Sequence, residues 1–295
     1  MFHRIGVFAC PGGGKSTFGL SYPGVEQHVW GSSEQDTSEA FSDKSHILKP
    51  IKMQWFDCLT DDERKLYLSE PVAGKELEHE STVAILKKKA TARNVAKYRR
   101  FLNQRKEAYR RGDKGLPETM FMDNGTPFSQ DFADYVELVY GAEFETKQGN
   151  FDSIGFYRKY AKELMNFFED FMDFPCHTVM AFHINMSVDQ ETATRVNFME
   201  DSKKGIKHPK EWMPMVTGQA KYNLAGLFTW AFYLWTEESP GQRNKYLAKL
   251  EADTSNVGIA KARIQPFDKP SRIEIPQFKA YQFIEEAIQR KQGGK

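Results

Sequence analysis

The run Ala9-Cys10-Pro11-Gly12-Gly13-Gly14-Lys15-Ser16 brings together the residue types that bind phosphate. Successive glycines let backbone N–H groups converge on an anion where Cβ atoms would obstruct them. A helix opening near Gly14 would add the positive end of its dipole at the same point. Lys15 could then reach the β- and γ-phosphates while the Ser16 hydroxyl ligates Mg2+. Cys10, Pro11, Gly12, Gly13, Gly14, Lys15, Ser16 and Thr17 are therefore the expected ATP-binding residues, although Ala9 stands where such loops more often carry glycine. The plain alternative is a glycine-rich turn between a strand and a helix.

Phosphoryl chemistry asks for a second metal ligand, a carboxylate at the carboxyl end of a neighbouring strand. Thr119-Met120-Phe121-Met122-Asp123 is an apolar run ending in an acid, so Asp123 is the expected Mg2+ partner of Ser16. Asn124-Gly125-Thr126 behind it is also turn chemistry, and a simple cap would read the same way. Hydrolysis further needs a group that orients or deprotonates water. Asn124, beside Asp123, cannot act as a base. Glu34, after His28-Val29-Trp30, is the expected catalytic carboxylate and Glu39 its fallback; a surface loop charge is the alternative.

With these residues in this order, the sequence resembles the RecA-like P-loop ATPases. Within them it more closely resembles compact phage-encoded nucleotide-binding ATPases of recombination and single-strand annealing. The likeness rests on Ala9 to Thr17, Glu34, Met122-Asp123, the run His177 to His183, Gly218 ahead of the strand Leu227 to Leu234, and Lys261-Ala262-Arg263. It leaves residues 50–117 uncovered. The resemblance implies that His183 senses the γ-phosphate. It also implies that Lys261 and Arg263 form a finger inserted into a neighbouring subunit's site, and hence a homo-oligomeric ring or filament. A strand-capping histidine and two solvated loop charges are the competing readings. The likeness further implies a cytoplasmic protein, in the host cytoplasm if phage-encoded.

Between Lys87 and Lys114 the chain is strongly basic, opposed only by Glu107 and Asp113, with Tyr98, Phe101 and Tyr109 interleaved. Such helices could follow a phosphate backbone and stack single-stranded DNA bases, with steep salt dependence. A solvated helical pair whose aromatic rings pack on the main domain is the alternative. The loop Asp201 to Trp212, with Lys203, Lys204, Lys207, His208 and Lys210, is a second DNA-contact candidate. It follows the His183 strand, where RecA-like proteins carry a nucleotide-ordered DNA loop.

The elements needed to position these groups are legible in outline. Strands are expected at 5–9, 27–30, 118–122, 177–182, 227–234 and 246–250, and helices at 15–21, 128–140, 156–171 and 277–290. In the third helix Tyr160, Leu164, Phe167, Phe168 and Phe171 fall at helical spacing. Alternating short apolar strands and helices predict an α/β, RecA-like core with a mostly parallel sheet flanked by helices. That core spans 1–49 and 116–295, and 50–115 is a basic helical insertion. The 295 residues carry 41 basic and 40 acidic side chains, a net charge of +1, which rules out a globally basic nucleic-acid coat. A mean hydropathy of -0.61 and the lack of an apolar run near membrane-spanning length speak against a membrane segment. No secretory leader is expected from the first residues, and three scattered cysteines suggest neither a disulfide framework nor zinc. Two other readings stay open: a nucleotide kinase with the insertion as lid, and a weakly hydrolysing switch or assembly factor.

Overall fold

The computed structural model describes residues 2–30, 41–145, 149–186, 212–216, 220–237, 245–251 and 260–293. Its centre is a 10-stranded sheet. The strands are β1 (Arg4–Ala9), β2 (Val25–Trp30), β3 (Ile51–Met53), β4 (Thr119–Asp123), β5 (His177–Met186), β6 (Trp212–Pro214), β7 (Trp230–Glu237), β8 (Lys245–Lys249), β9 (Lys261–Ala262) and β10 (Ile273–Glu274). The order across the sheet is β10-β8-β7-β1-β5-β4-β2-β3, with β6 on β5 and β9 on β7. The pairs from β7 through β1, β5, β4 and β2 to β3 are all parallel; β6, β8, β9 and β10 join antiparallel. Continuous apolar runs such as Ile5 to Ala9 suit this placement, because a central parallel strand is covered on both faces.

The α-helices among the described residues are α1 (Lys15–Leu20), α2 (Asp61–Tyr67), α3 (Glu76–Arg111), α4 (Gly125–Tyr140), α5 (Ser153–Met172), α6 (Ala220–Asn223) and α7 (Ala280–Gly293). Strand side chains alternate between two cores. Ile5, Val7, Ala9, Phe121, Val179 and Ala181 pack with Phe18 and Leu20 of α1 and Ile284 of α7. Phe8, Met120, Met122, Met180 and Phe182 pack on the other face with Phe128 and Phe132 of α4 and Phe167, Phe168 and Phe171 of α5. The helical spacing read in α5 is thus its buried stripe.

Two sequence expectations change. The segment 50–115 is not purely a helical addition, because its first residues form β3, which extends the sheet beside β2. The basic stretch is a single 36-residue helix rather than a pair. It lies on the α4/α5 face. Tyr98 is fully buried there and Phe101 and Tyr109 pack against the same core, so Tyr98 is not available to stack a base. Beneath it, the Tyr98 hydroxyl meets His28 Nδ1 at 2.6 Å and His28 Nε2 meets Glu26 Oε1 at 3.0 Å, while Arg105 pairs with Glu26. Burial lowers the His28 pKa, so the ring is neutral: Tyr98 donates to Nδ1, and Nε2–H donates to Glu26.

Candidate functional site

The glycine run forms a tight turn off the carboxyl end of β1. Gly13 N–H donates to the Cys10 carbonyl at 3.0 Å, and Gly12 and Gly14 adopt φ of 77° and 85°. Both angles are left-handed, where residues with a Cβ are strained. At Gly13 the restriction is spatial: an added Cβ would lie 2.6 Å from Ala9 Cβ and 3.0 Å from the Cys10 carbonyl oxygen. Gly14 caps α1, and Cys10, Pro11 and Gly12 are exposed. The loop is therefore an outward-facing backbone cradle that tolerates no side chain at its base.

Lys15 is buried, and its Nζ donates to the carbonyls of Ala9 at 3.4 Å and Cys10 at 3.1 Å, which sets the ammonium at the mouth of the turn. His183 is in register with Ala9 on the adjacent strand β5. Its imidazole is held down at about pKa 4, by burial first and then by the Lys15 charge. Lys15 and His183 are thus close enough to feel one another, and His183 is neutral at physiological pH.

Asp123 ends β4 and is buried. Its strand is not the immediate neighbour of β1, as expected, because β5 lies between them. Strand alternation gives Asp123 the parity of Phe121 and His183 the parity of Ala181, so both lie on the face that α1 covers. Gln27, from β2, donates its Nε2–H to Asp123 Oδ2 at 2.8 Å and fixes the carboxylate. Nothing in the local sequence marks Gln27, since the contact exists only once β2 pairs with β4. Asn124 is spent as the cap of α4: its side chain accepts from Thr126 N–H at 2.8 Å. The Thr126 hydroxyl in turn accepts the His183 N–H at 2.9 Å, tying the start of α4 to β5.

Glu34 and Glu39 lie outside the described residues, as do Gly218 and residues 201–211 of the lysine-rich loop. Lys261 and Arg263 do not join the glycine turn of their own chain. They sit at the amino edge of the sheet, where Lys261 is in register with Ala231 and Arg263 Nη2 donates to the Gly226 carbonyl at 2.5 Å. In α3, acids from other elements meet much of the basic charge: Arg93 with Glu63, Lys88 with Glu137, Arg105 with Glu26 and Lys106 with Asp170. Lys89, Lys97, Arg100 and Lys114 are exposed and make no ion pair among the described residues.

The residues present fit a magnesium triphosphate. A cradle whose base excludes a Cβ, a lysine at its mouth, a hydroxyl at Ser16 and a carboxylate oriented by Gln27 on the same face are the donors such a group requires. Among the described residues no group of three or more His, Cys, Asp and Glu gathers to hold a metal by itself, and a site sharing its ion with phosphate oxygens does not need one. No protein-family model and no curated protein matches the sequence.

Proposed function

We propose that the chain is a RecA-like P-loop ATPase that binds Mg2+-ATP at the Cys10 to Thr17 loop and couples its hydrolysis to single-stranded DNA. The observation that carries this reading is the convergence, on one face of the carboxyl edge of the sheet, of the glycine turn, Lys15, His183 and the Gln27-oriented Asp123. In this reading the backbone N–H groups of Gly12, Gly14 and Lys15 hold the β-phosphate, and Lys15 leaves the Ala9 and Cys10 carbonyls for the β- and γ-oxygens. Ser16 Oγ and Asp123 would hold Mg2+, which would supply charge neutralisation at the phosphates. His183, uncharged, offers a hydrogen bond to the γ-phosphate rather than a second cation. Glu34 remains the proposed water-orienting carboxylate.

Coupling has a physical route. His183 is joined to α4 through Thr126, and its carbonyl accepts the N–H of Met215, just past β6, at 2.8 Å. A γ-phosphate that engages His183 therefore acts on the two strands flanking the lysine-rich loop. That loop, with exposed Lys89, Lys97 and Arg100 on α3, supplies the proposed DNA contacts. Lys261 and Arg263 would act only in a neighbouring subunit, which makes a ring or filament part of the proposal.

The deciding experiment measures ATP hydrolysis with and without single-stranded DNA over a range of protein concentrations. Turnover stimulated by DNA, rising faster than linearly with protein and abolished in Lys15→Ala, supports the reading. An ATPase rate indifferent to Lys15→Ala refutes it. The engagement of Asn124 as a cap favours one second reading, a nucleotide-dependent switch with little turnover. Tight ATP binding with background hydrolysis in the wild type would select it. The other alternative, a nucleotide kinase, would instead transfer a phosphoryl group to nucleoside monophosphates in a thin-layer assay.

A further inference from the structure

Helix α3 is longer than the body it packs on. It runs antiparallel to α4: Phe128 lies on Tyr98 and, further along, Glu137 pairs with Lys88. Because α4 stops at Tyr140, the first turns of α3, Glu76 to Lys87, continue past it for about 18 Å at about 1.5 Å per residue. The apolar stripe of α3 continues with them. Thr91 and Tyr98, seven residues apart, are buried against the body, and the same interval towards the amino end reaches Ala84 and Leu77. Both of these are exposed, Leu77 at 80%. Ile85 beside them and Leu138, the residue after Glu137, are each 54% exposed. The segment after α2 meets a different side of the helix, where the Ser69 hydroxyl lies 3.3 Å from His79 Nε2. An apolar ledge is thus left open where α3 outruns α4.

The charges along the ledge are segregated. Between Lys75 and Lys87 the helix carries Glu76, Glu78 and Glu80 and no Lys or Arg, and Lys87, Lys88 and Lys89 follow at once. At about 100° per residue, Glu80 and Lys87 border the stripe on one side, and Glu78 and Lys89 on the other. Both pairs have the same midpoint, between Val83 and Ala84. A second α3 laid antiparallel across that midpoint brings like borders face to face, so each of these glutamates meets a lysine. The same two-fold operation carries Leu77 of each chain to the Lys88–Glu137 end of the other ledge, where Leu138 is exposed. Ser81 and Ala84, near the crossing, are small enough to let the helices approach.

We propose that this ledge is the interface of a two-fold dimer, its occupant the same ledge of a second copy of this chain. Self-complementary charge about one midpoint is what an isologous contact requires, and the three glutamates would repel a nucleic acid. The contact closes at two chains, unlike the head-to-tail contact that a Lys261/Arg263 finger would need. It is independent of the triphosphate reading. Lys89 then serves the dimer, and Lys97 and Arg100 stay outside it. Two helices crossing over so short a length bury less than a standard interface, so the dimer should be of micromolar affinity.

Sedimentation velocity of the nucleotide-free full chain, from about 1 to about 200 µM, tests this. The average mass should rise with concentration from 34.0 kDa towards twice that value and no further. Leu77→Glu, at a position too exposed to disturb folding, should weaken the dimer at least about 10-fold with an unchanged urea midpoint. Glu78→Lys with Glu80→Lys should do the same, and so should Lys87→Glu with Lys89→Glu. Mixing these two charge variants should restore a dimer containing one of each, because their reversed borders complement one another. Monomers at every concentration, growth past two chains, a dimer indifferent to Leu77→Glu, or a mixture of the charge variants that stays monomeric overturns the proposal.

Discussion

At the scale of single residues, shape restrains the glycine turn more than charge does. Gly13→Ala adds one methyl, yet places it 2.6 Å from Ala9 Cβ and 3.0 Å from a backbone oxygen, neither of which belongs to a flexible side chain. Forcing such a group into a packed site costs about 1–3 kcal/mol. The turn will shift outward, so Gly13→Ala should keep the overall fold and lose ATP affinity by more than about 10-fold in calorimetry. His183 is governed by electrostatics. Its pKa of about 4 reflects burial and, second, the Lys15 ammonium, so removing that cation must raise it. An NMR titration should place the His183 transition near pH 4 in the wild type and higher, though still below 6.5, in Lys15→Ala. An unmoved transition would mean that the two side chains do not meet at the mouth of the turn. Gln27→Ala should destabilise the protein by about 1–3 kcal/mol, because it removes a donor from a buried carboxylate, and should also weaken Mg2+-dependent ATP binding by loosening the orientation of Asp123.

Among the elements, α3 most changes the meaning of its own sequence. Read alone, it is a positive field with aromatic rings. In the fold, its acids come from α2, α4, α5 and β2, as Glu63, Glu137, Asp170 and Glu26. None is near it in sequence except Glu63, and no spacing rule could have supplied them. Tyr98→Phe should remove the donor to buried His28 Nδ1 and destabilise the protein by about 1–3 kcal/mol, the cost of stranding a buried acceptor; a urea midpoint equal to wild type would contradict the network. Lys97→Glu with Arg100→Glu, both on the exposed side, should leave that midpoint unchanged and reduce DNA stimulation of the ATPase. The same contrast shows what was legible. The glycine loop and the Asp123 strand end are contiguous in sequence and could be read directly. β3, β9 and β10 have two or three residues each, too few for any period, and are strands only because a long neighbour pairs with them. The Gln27–Asp123 and Gln277–Tyr246 hydrogen bonds depend on pairings between distant segments.

For the molecule as a whole, both ends of the sheet hold neutral histidines. His3, fully buried, accepts from the Tyr22 hydroxyl and lies 2.9 Å from Glu285, yet burial lowers its pKa to about 3, and His177 beside it is lowered to about 4. Because His3 is almost wholly enclosed, desolvation outweighs the single half-exposed carboxylate, and the bond to Glu285 is that of a neutral Nε2–H. These rings, with His183, stay neutral in the fold but protonate near 6.5 when unfolded. Below pH 6.5 the unfolded chain therefore takes up protons that the native state refuses, and stability falls as pH drops toward about 4. Urea midpoints at pH 7.5, 6 and 5 should decrease in that order. No helix among the described residues is long and apolar enough to cross a membrane. The central claim is that the turn from Cys10 to Thr17 grips a triphosphate, and calorimetric titration of Mg2+-ATP into the full chain tests it most directly. The account predicts one binding event per chain that disappears in Lys15→Ala. Absence of binding to the wild type, or equal binding by both proteins, would contradict it.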